Sequence, residues 1–244
     1  MSNKMKDLNI AVVMFDGGEE QDIVGCWEMF SWATEYDDLP EDEEVTEANF
    51  AYTFNKAGGV GQSQPNLFTV AHTTSPIVMS SGMKFVADYT FDNAPAANVI
   101  VVPGGEGARA IERLKENGTI DYIRRVGTQD DIKYVLSVCT GSFVLGAAGL
   151  LDEVNCTVYM NQYERFGREV PTAKLVRNRE INFLQDGKIL TSNGPCSGLA
   201  TSLRLIEDYV GTRKKDKVRE LLSFVYPVAK GLIYDNGALN EHNV

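Results

Sequence analysis

This 244-residue chain lacks long hydrophobic runs and is poor in cysteine. The apolar run at 10–15 is too short for the hydrophobic part of a signal peptide, and no other window is long and apolar enough to span a bilayer. Its four cysteines are widely spaced and form no C-x-x-C pair, which excludes a disulfide framework for a chain of this length. We therefore expect a protein of the reducing cytoplasm.

Basic residues are outnumbered by acidic ones. The chain has 23 Lys and Arg against 34 Asp and Glu, for a net charge of −11 at pH 7. Nucleic acids and anionic membranes attract Lys and Arg through their phosphate groups, so neither is an expected partner. We expect a small-molecule substrate instead.

Histidine, a common general base in enzymes, is rare in this chain. The two that are present, His72 and His242, fall at the end of a predicted strand and in the C-terminal tail. A cysteine peptidase, amidase or amidotransferase needs an imidazole beside its thiol as a base. We do not expect these enzyme classes here, because neither histidine is placed to act as that base. Neither a metal ion nor an organic cofactor is predicted, because the acidic run near residue 40 has no calcium-loop spacing.

Short apolar runs alternate with helical patterns along the chain. Leu8 to Phe15 and Val99 to Val102 predict strands buried on both faces, whereas Glu19 to Ala33 has acids in its first turn and apolar residues at helical spacing. This alternation predicts an α/β fold with an open, mostly parallel sheet and helices on both faces.

The domain organisation follows from the same pattern. We expect one α/β domain over 1–211, an exposed acidic insertion at about 35–65, and a helical extension and tail over 212–244. Other predicted elements are strands at 50–55, 66–72, 155–160 and 173–176, a long helix at 108–126, helices at 162–166 and 199–210, and hairpins at 77–88 and 181–192.

Cys139 lies where a β-branched strand pattern changes to small residues at helical spacing. A residue at such a strand-to-helix turn is held above the carboxyl edge of the sheet, near backbone N–H groups that favour a thiolate. The sequence therefore predicts a nucleophile elbow with cysteine as the nucleophile. The alternative is an inert buried thiol, since free cysteine is among the most buried residue types.

Two further turns are expected at the same edge. Asp22 opens the helix that follows the first strand, and Gly104 and Gly105 follow the strand at 99–102. Consecutive glycines let backbone N–H groups approach a ligand closely, so these two are candidate oxyanion donors. Asp22 is the candidate proton carrier. A carboxyl next to a thiol should titrate with it as a coupled unit.

The elbow segment, SVCTGS followed by LGAAGLL, resembles that of the ThiJ/PfpI superfamily, a group of class I glutamine amidotransferase-like proteins. The resemblance runs from about Asn9 to about Gly211 and includes the PGG loop at 103–105. Thr140 stands where the peptidase branch has His, and QDIVG at 21–25 resembles the acidic motif of the isocyanide hydratase branch. The chain is thus similar to isonitrile hydratases within that superfamily.

That resemblance implies a flavodoxin-like fold, a homodimer and hydration of an isocyanide to an N-substituted formamide by a cysteine-dependent lyase. It places Cys139, Asp22 and Thr140 in the catalytic site, with Gly104 and Gly105 as oxyanion donors. Tyr159 and Ser197 would line the substrate pocket. Two departures would reshape that pocket: Tyr159-Met160 where relatives often have His-Trp, and Cys196 near the mouth.

Other functions remain open at this point. They are glyoxalase-type attack on a dicarbonyl, redox sensing through oxidation of Cys139, and ligand sensing, because regulators related to this superfamily carry the same domain before helix-turn-helix units. The 33 residues after Gly211 are too few for two such units. The substrate is not determined by these residues.

Overall fold

A computed structural model of the protein describes residues 3–35 and 66–225. The strands are β1 Ile10–Val13, β2 Leu67–Ala71, β3 Ile77–Val78, β4 Lys84–Phe85, β5 Tyr89–Thr90, β6 Val99–Val102, β7 Tyr134–Ser137, β8 Asn155–Cys156, β9 Lys174–Leu175, β10 Phe183–Asp186 and β11 Ile189–Ser192. The helices are α1 Glu20–Glu35, α2 Ile111–Glu116, α3 Thr119–Gly127, α4 Gly141–Ala147, α5 Tyr163–Glu169, α6 Ser197–Val210 and α7 Thr212–Val225.

Seven strands form the central sheet in the order β10-β11-β7-β6-β1-β2-β5. All neighbouring pairs are parallel except β10 and β11, which form an antiparallel hairpin at one edge. The predicted α/β class with a mostly parallel sheet is confirmed, and the three strands that precede the candidate site loops, β7, β6 and β1, are adjacent.

The sheet separates two hydrophobic cores. Ile10 and Val12 of β1 pack into a core with α1 and α6, whereas Ala11 and Val13 pack into a core with α3 and α4 on the other face. All four residues are fully buried, because alternate side chains of a strand point to opposite faces and helices cover both. The prediction of helices on both faces is thereby confirmed.

The prediction of one long helix over 108–126 is wrong. A 3₁₀ turn at Gly107–Arg109 is followed by α2 and α3, which are separated at Asn117 and Gly118. Gly118 has a left-handed φ of 79°, and the Asn117 side chain accepts hydrogen bonds from the backbone and hydroxyl of Thr119. A side chain that satisfies the first N–H groups of α3 starts a new helix there.

Other boundaries also differ from expectation. The predicted strand at 155–160 ends at Cys156, since the chain then turns into a 3₁₀ helix at Met160–Gln162. The hairpin at 77–88 pairs only β3 with β4, and the short edge strand β5 was not predicted. The predicted strand at 50–55 and nearly all of the acidic insertion lie outside the described residues, and the domain boundary at 211 stays a prediction.

Within residues 3–35 and 66–225, no helix combines the length and the apolar character that crossing a bilayer requires.

Candidate active site

Three loops meet at the carboxyl edge of β7, β6 and β1. The loop after β1 touches the loop after β6, because Glu19 donates its backbone N–H to the Gly104 carbonyl at 3.0 Å and Gly107 donates its own to the Gly17 carbonyl at 2.8 Å. The loop after β7 begins with Val138, whose N–H is donated to the Val102 carbonyl at 3.0 Å. Parallel neighbours in the sheet therefore bring Asp22, Gly104 and Cys139 together, as the sequence predicted.

Cys139 has the strained backbone of a nucleophile elbow. Its φ of 56° is left-handed, a conformation that only one other non-glycine residue, Glu153, adopts in the described part of the chain. A β-carbon at Gly141 would lie 2.4 Å from the Val102 carbonyl oxygen, so only glycine fits directly behind the turn. Left-handed backbone at a non-glycine residue costs free energy and is concentrated at functional sites.

Asp22 projects from the first turn of α1 and is 0% exposed. One carboxyl oxygen, Oδ2, accepts the Gly104 N–H at 2.7 Å, whereas Oδ1 is buried and has no hydrogen-bond partner among the described residues. Burial raises the pKa of Asp22, the bond from Gly104 opposes this rise, and the charges of Glu19 and Glu20 add to it, so that the pKa is about 7. The carboxyl can therefore hold or release a proton near neutral pH.

The thiol of Cys139 is the second member of this pair and is 8% exposed. Burial raises its pKa to about 12, and the charges of Asp22 and Glu19 act in the same direction. The N–H of Thr140 lowers the pKa but does not outweigh burial. The turn N–H therefore acts in the predicted direction, but removing a charge from water costs more than it returns, so the thiol stays protonated at neutral pH.

The Gly104 N–H is already donated to Asp22, so the prediction that it donates to the substrate is not what the structure shows. Gly104 instead orients the acid and lets the loops close. A β-carbon there would lie 2.6 Å from the Thr140 nitrogen and 2.8 Å from the Cys139 Cβ. Gly105, at φ 100°, makes no backbone N–H bond within the described residues and stays a candidate donor.

Thr140 and Tyr159 join the elbow to its neighbours. The Thr140 hydroxyl donates to the Gly105 carbonyl at 2.9 Å, which links the loops after β7 and β6. Tyr159 donates its backbone N–H to the Cys139 carbonyl at 3.2 Å, and its half-buried ring packs against the same core as the thiol. Thr140 thus joins two of the site loops, and Tyr159 lies beside the elbow, while its role in lining the substrate pocket stays a prediction.

Ser197 lies at the start of α6 and is nearly buried. Its hydroxyl accepts the Gly194 N–H at 3.3 Å, so this side chain closes the turn that leads into the helix. A β-carbon at Gly194 would lie 3.9 Å from the Tyr159 ring, which places the turn next to that ring. A role of Ser197 in substrate binding stays a prediction.

A buried hydroxyl network behind the elbow was not predicted. Ser137 and Ser142 lie 3.0 Å apart through their Oγ atoms, and Ser142 donates to the Thr157 carbonyl at 2.8 Å. The Thr191 hydroxyl accepts the Thr157 N–H at 2.8 Å. Hydroxyl residues inside otherwise apolar strands were the available signal, because a buried hydroxyl needs a partner.

Among the described residues, the other three cysteines and His72 make no hydrogen bond to Cys139 or Asp22. Cys26 and Cys156 are fully buried, and Cys196 is exposed. His72 follows β2, and its buried Nδ1 has no hydrogen-bond partner in the described part of the chain. His242 lies outside that part. Within the same residues, no group of three His, Cys, Asp or Glu side chains could hold a metal ion.

Comparison with known proteins decides the family. The DJ-1/PfpI family model matches residues 9–208, which is most of the chain and includes every candidate site residue. The chain belongs to the DJ-1/PfpI family. The resemblance inferred from the elbow and the PGG loop is thereby confirmed.

Individual relatives of this DJ-1/PfpI protein differ in function. It is 32% identical to isonitrile hydratase of Pseudomonas putida over 149 residues, 61% of each chain. It is 29% identical to the HTH-type transcriptional regulator GbdR of Pseudomonas aeruginosa over 151 residues, 60% of this chain and 37% of the regulator. The matches thus span less than two thirds of either relative.

Among solved structures, a ThiJ/PfpI family protein from Pseudomonas syringae superposes with a TM-score of 0.67 at 21% identity, over 89% of this chain and 75% of that one. The DJ-1 protein of Schizosaccharomyces pombe superposes with a TM-score of 0.61 at 14% identity, over 88% and 99%. At these identities the similarity concerns the fold alone.

Proposed function

We propose that the protein is a cysteine-dependent lyase that hydrates an isocyanide to an N-substituted formamide. The observation that carries this proposal is the buried pair of Cys139 and Asp22, in which the carboxyl has one oxygen bound by Gly104 and the other without a partner. The likeness to isonitrile hydratase supports the choice of reaction. The scarcity of histidine supports a carboxyl as the proton carrier.

The first step forms a carbon–sulfur bond. With a pKa of about 12 for Cys139 and about 7 for Asp22, a single proton on the pair resides on sulfur. As the sulfur electron pair attacks the terminal carbon of the isocyanide, the Asp22 carboxylate accepts the thiol proton and delivers it to that same carbon. The product is a thioimidate on Cys139, and Asp22 is left ionised.

The second step adds water and breaks that bond. Asp22 takes one proton from water as the water oxygen bonds to the thioimidate carbon, and passes it to the nitrogen. The hydroxyl proton then returns to the pair as the carbon–sulfur bond breaks, with its electrons going to sulfur. The net change is addition of one water to the isocyanide, and the formamide leaves.

Backbone groups would stabilise the charge that develops on the substrate. Thr140 carries an N–H group beside the sulfur, and Gly105, in the neighbouring loop, has an N–H without a backbone partner among the described residues, whereas the Gly104 N–H keeps Asp22 oriented. Donors that are fixed before reaction require no reorganisation in the transition state, which makes them effective in a buried site.

A turnover screen tests the proposal. Purified protein without added metal should convert a small alkyl or aryl isocyanide to its formamide, identified by mass spectrometry and NMR. If methylglyoxal is consumed but no isocyanide is, the hydration proposal fails and glyoxalase-type chemistry takes its place. Oxidation of Cys139 by peroxide without turnover of either compound would point to redox sensing instead.

Ligand sensing is the second candidate, because regulators such as GbdR match 60% of this chain. A sensing domain should bind a small molecule without consuming it. A ligand that raises the melting temperature of both the native protein and Cys139→Ala, with no product formed, would favour sensing over catalysis.

A homodimer is proposed as well, with residues 22–33 of α1 and the elbow region near the interface. Exposed apolar side chains support it: Val24 on α1, and Val78, Met83 and Val86 on the β3–β4 hairpin and just after it. Light scattering at micromolar concentration should give the dimer mass, and a monomer mass would contradict the proposal.

A further inference from the structure

Two carboxylates at the start of α1, next to the loop of Gly104, are held by a serine that the sequence did not single out. The Ser80 hydroxyl oxygen lies 3.0 Å from Oε2 of Glu19 and 3.2 Å from Oε2 of Glu20, and the Ser81 N–H is donated to Glu20 at 3.4 Å. The turn that joins β3 to β4 therefore holds both carboxylates at the start of α1, close in the chain to Asp22. From the sequence alone, Glu19 and Glu20 are expected to be solvated acids at the start of a helix.

These carboxylates act on the reacting pair. Glu19 and Glu20 both raise the pKa of Asp22, and Glu19 also raises that of Cys139. Hydrogen bonds from Ser81 and Ser80 outweigh burial and lower the pKa of Glu20, so Glu20 is ionised at neutral pH. A substrate that reaches the unpartnered Oδ1 of Asp22 must therefore enter a negative potential.

Nearby cations do not cancel that potential at the pair. Arg109 is paired with Glu106, and the Arg113 guanidinium donates to the Asp16 carbonyl at 2.6 Å. Neither arginine is among the groups that shift the pKa of Asp22 or Cys139. The chain as a whole adds to the effect with its net charge of −11.

We propose that this site accepts uncharged or cationic isocyanides and rejects anionic ones, with Glu19 and Glu20 as the residues that set this selectivity. The inference rests on the proposed hydration for its substrate, but the charge selection belongs to the approach to Cys139 and applies to any reagent that reaches the thiol. Two unit charges about 10 Å apart at an effective dielectric of about 20 change a rate roughly tenfold.

Alkylation tests the selection without relying on turnover. Neutral iodoacetamide and anionic iodoacetate have nearly the same shape, and peptide mapping gives the rate at Cys139, with the uncharged thiol 2-mercaptoethanol in the same buffer as the reference. The iodoacetamide-to-iodoacetate rate ratio should be at least about tenfold larger at Cys139 than at 2-mercaptoethanol in low salt. It should shrink severalfold in the double variant Glu19→Gln, Glu20→Gln and stay unchanged in Glu112→Gln, a control on α2 whose partner is Lys115.

Turnover gives the second arm. Isobutyl isocyanide and isocyanoacetate differ mainly in an isopropyl group against a carboxylate, and kcat/KM should favour the neutral compound by at least about tenfold. If neither is consumed, the hydration proposal fails while alkylation still decides the charge selection. Equal rate ratios at Cys139 and at the reference thiol, or a ratio that the double variant leaves unchanged, would overturn the selection itself.

Discussion

Two of the buried thiols in the described residues can be compared through their neighbouring carboxylates: Cys139 with Asp22, and Cys156 with Asp186. Burial raises the pKa of each thiol to about 12, and the neighbouring acid adds to the shift in both cases. The backbones differ, because Cys156 lies in the regular strand β8 whereas Cys139 has left-handed φ. A raised thiol pKa is therefore no sign of a reactive site by itself.

The two carboxylates differ more than the two thiols. Asp186 accepts the backbone N–H of Asn155 at 2.8 Å and its side-chain amide at 2.9 Å, which ties two strands together. Asp22 accepts one bond from Gly104 and keeps a buried oxygen without a partner. The hydrogen bonds to Asp186 are structural, whereas Oδ1 of Asp22 can still bind a proton or a substrate.

The largest expected difference is between the two thiols. Cys139→Ala should abolish formamide production, since it removes the atom that bonds to the substrate. Cys156→Ala should retain turnover, because that thiol is 0% exposed and packs in the core around α4 and α5. Product formation by mass spectrometry, with circular dichroism to confirm folding, measures both. Loss of turnover in a folded Cys156→Ala would remove the distinction between the two pairs.

Exchanging the acids should give the next largest effect. Asp22→Asn keeps the size of the side chain but cannot transfer the proton, so kcat should fall by roughly 10²–10⁴-fold. Asp186→Asn should change kcat little, because Asp186 bonds to Asn155 rather than to the elbow. Hydration close to the native rate in Asp22→Asn would refute Asp22 as the proton carrier.

The same variant reports on stability. The folded pKa of Asp22, about 7, lies above its ordinary value of 3.8, so the folded state holds a proton that the unfolded state releases between these pH values. Raising the pH from 4 to 7 therefore destabilises the native protein relative to Asp22→Asn, by about 1.4 kcal/mol per pH unit at most. Urea unfolding at pH 4, 5.5, 7 and 8 measures the difference. A difference that does not change with pH would contradict the raised pKa.

Glycine substitutions should give the smallest effect. Gly104→Ala places a β-carbon 2.6 Å from the Thr140 nitrogen, so overpacking should cost about 1–3 kcal/mol and displace the elbow, with turnover reduced at least about tenfold. Gly187→Ala, in the β10–β11 turn, meets no atom within 4 Å and should lose only about 1–2 kcal/mol through its φ of 56°. Equal turnover in the two variants would show that close approach at Gly104 does not position the thiol.

Much of the fold could be predicted because local pattern and tertiary environment agree. The fully apolar runs of β1 and β6 indicate strands covered on both faces, and the change of pattern at Cys139 indicates the elbow. The helix predicted over 108–126 failed because Gly118 and the Asn117 side chain favour a new start over continuation. The spacing of apolar residues gives no information about such a local side-chain hydrogen bond.

The α/β class, the common edge of the turns that carry Cys139, Asp22 and Gly104, and the lack of a histidine in the elbow could all be predicted from the order of residues in the chain. The distribution of protons among these groups could not, because it depends on contacts made in the folded protein. The bond from Gly104 to Asp22, the unpartnered Oδ1 and the carboxylates held by Ser80 all join residues far apart in the chain. Burial and charge at the site depend on those contacts, and so do both pKa values.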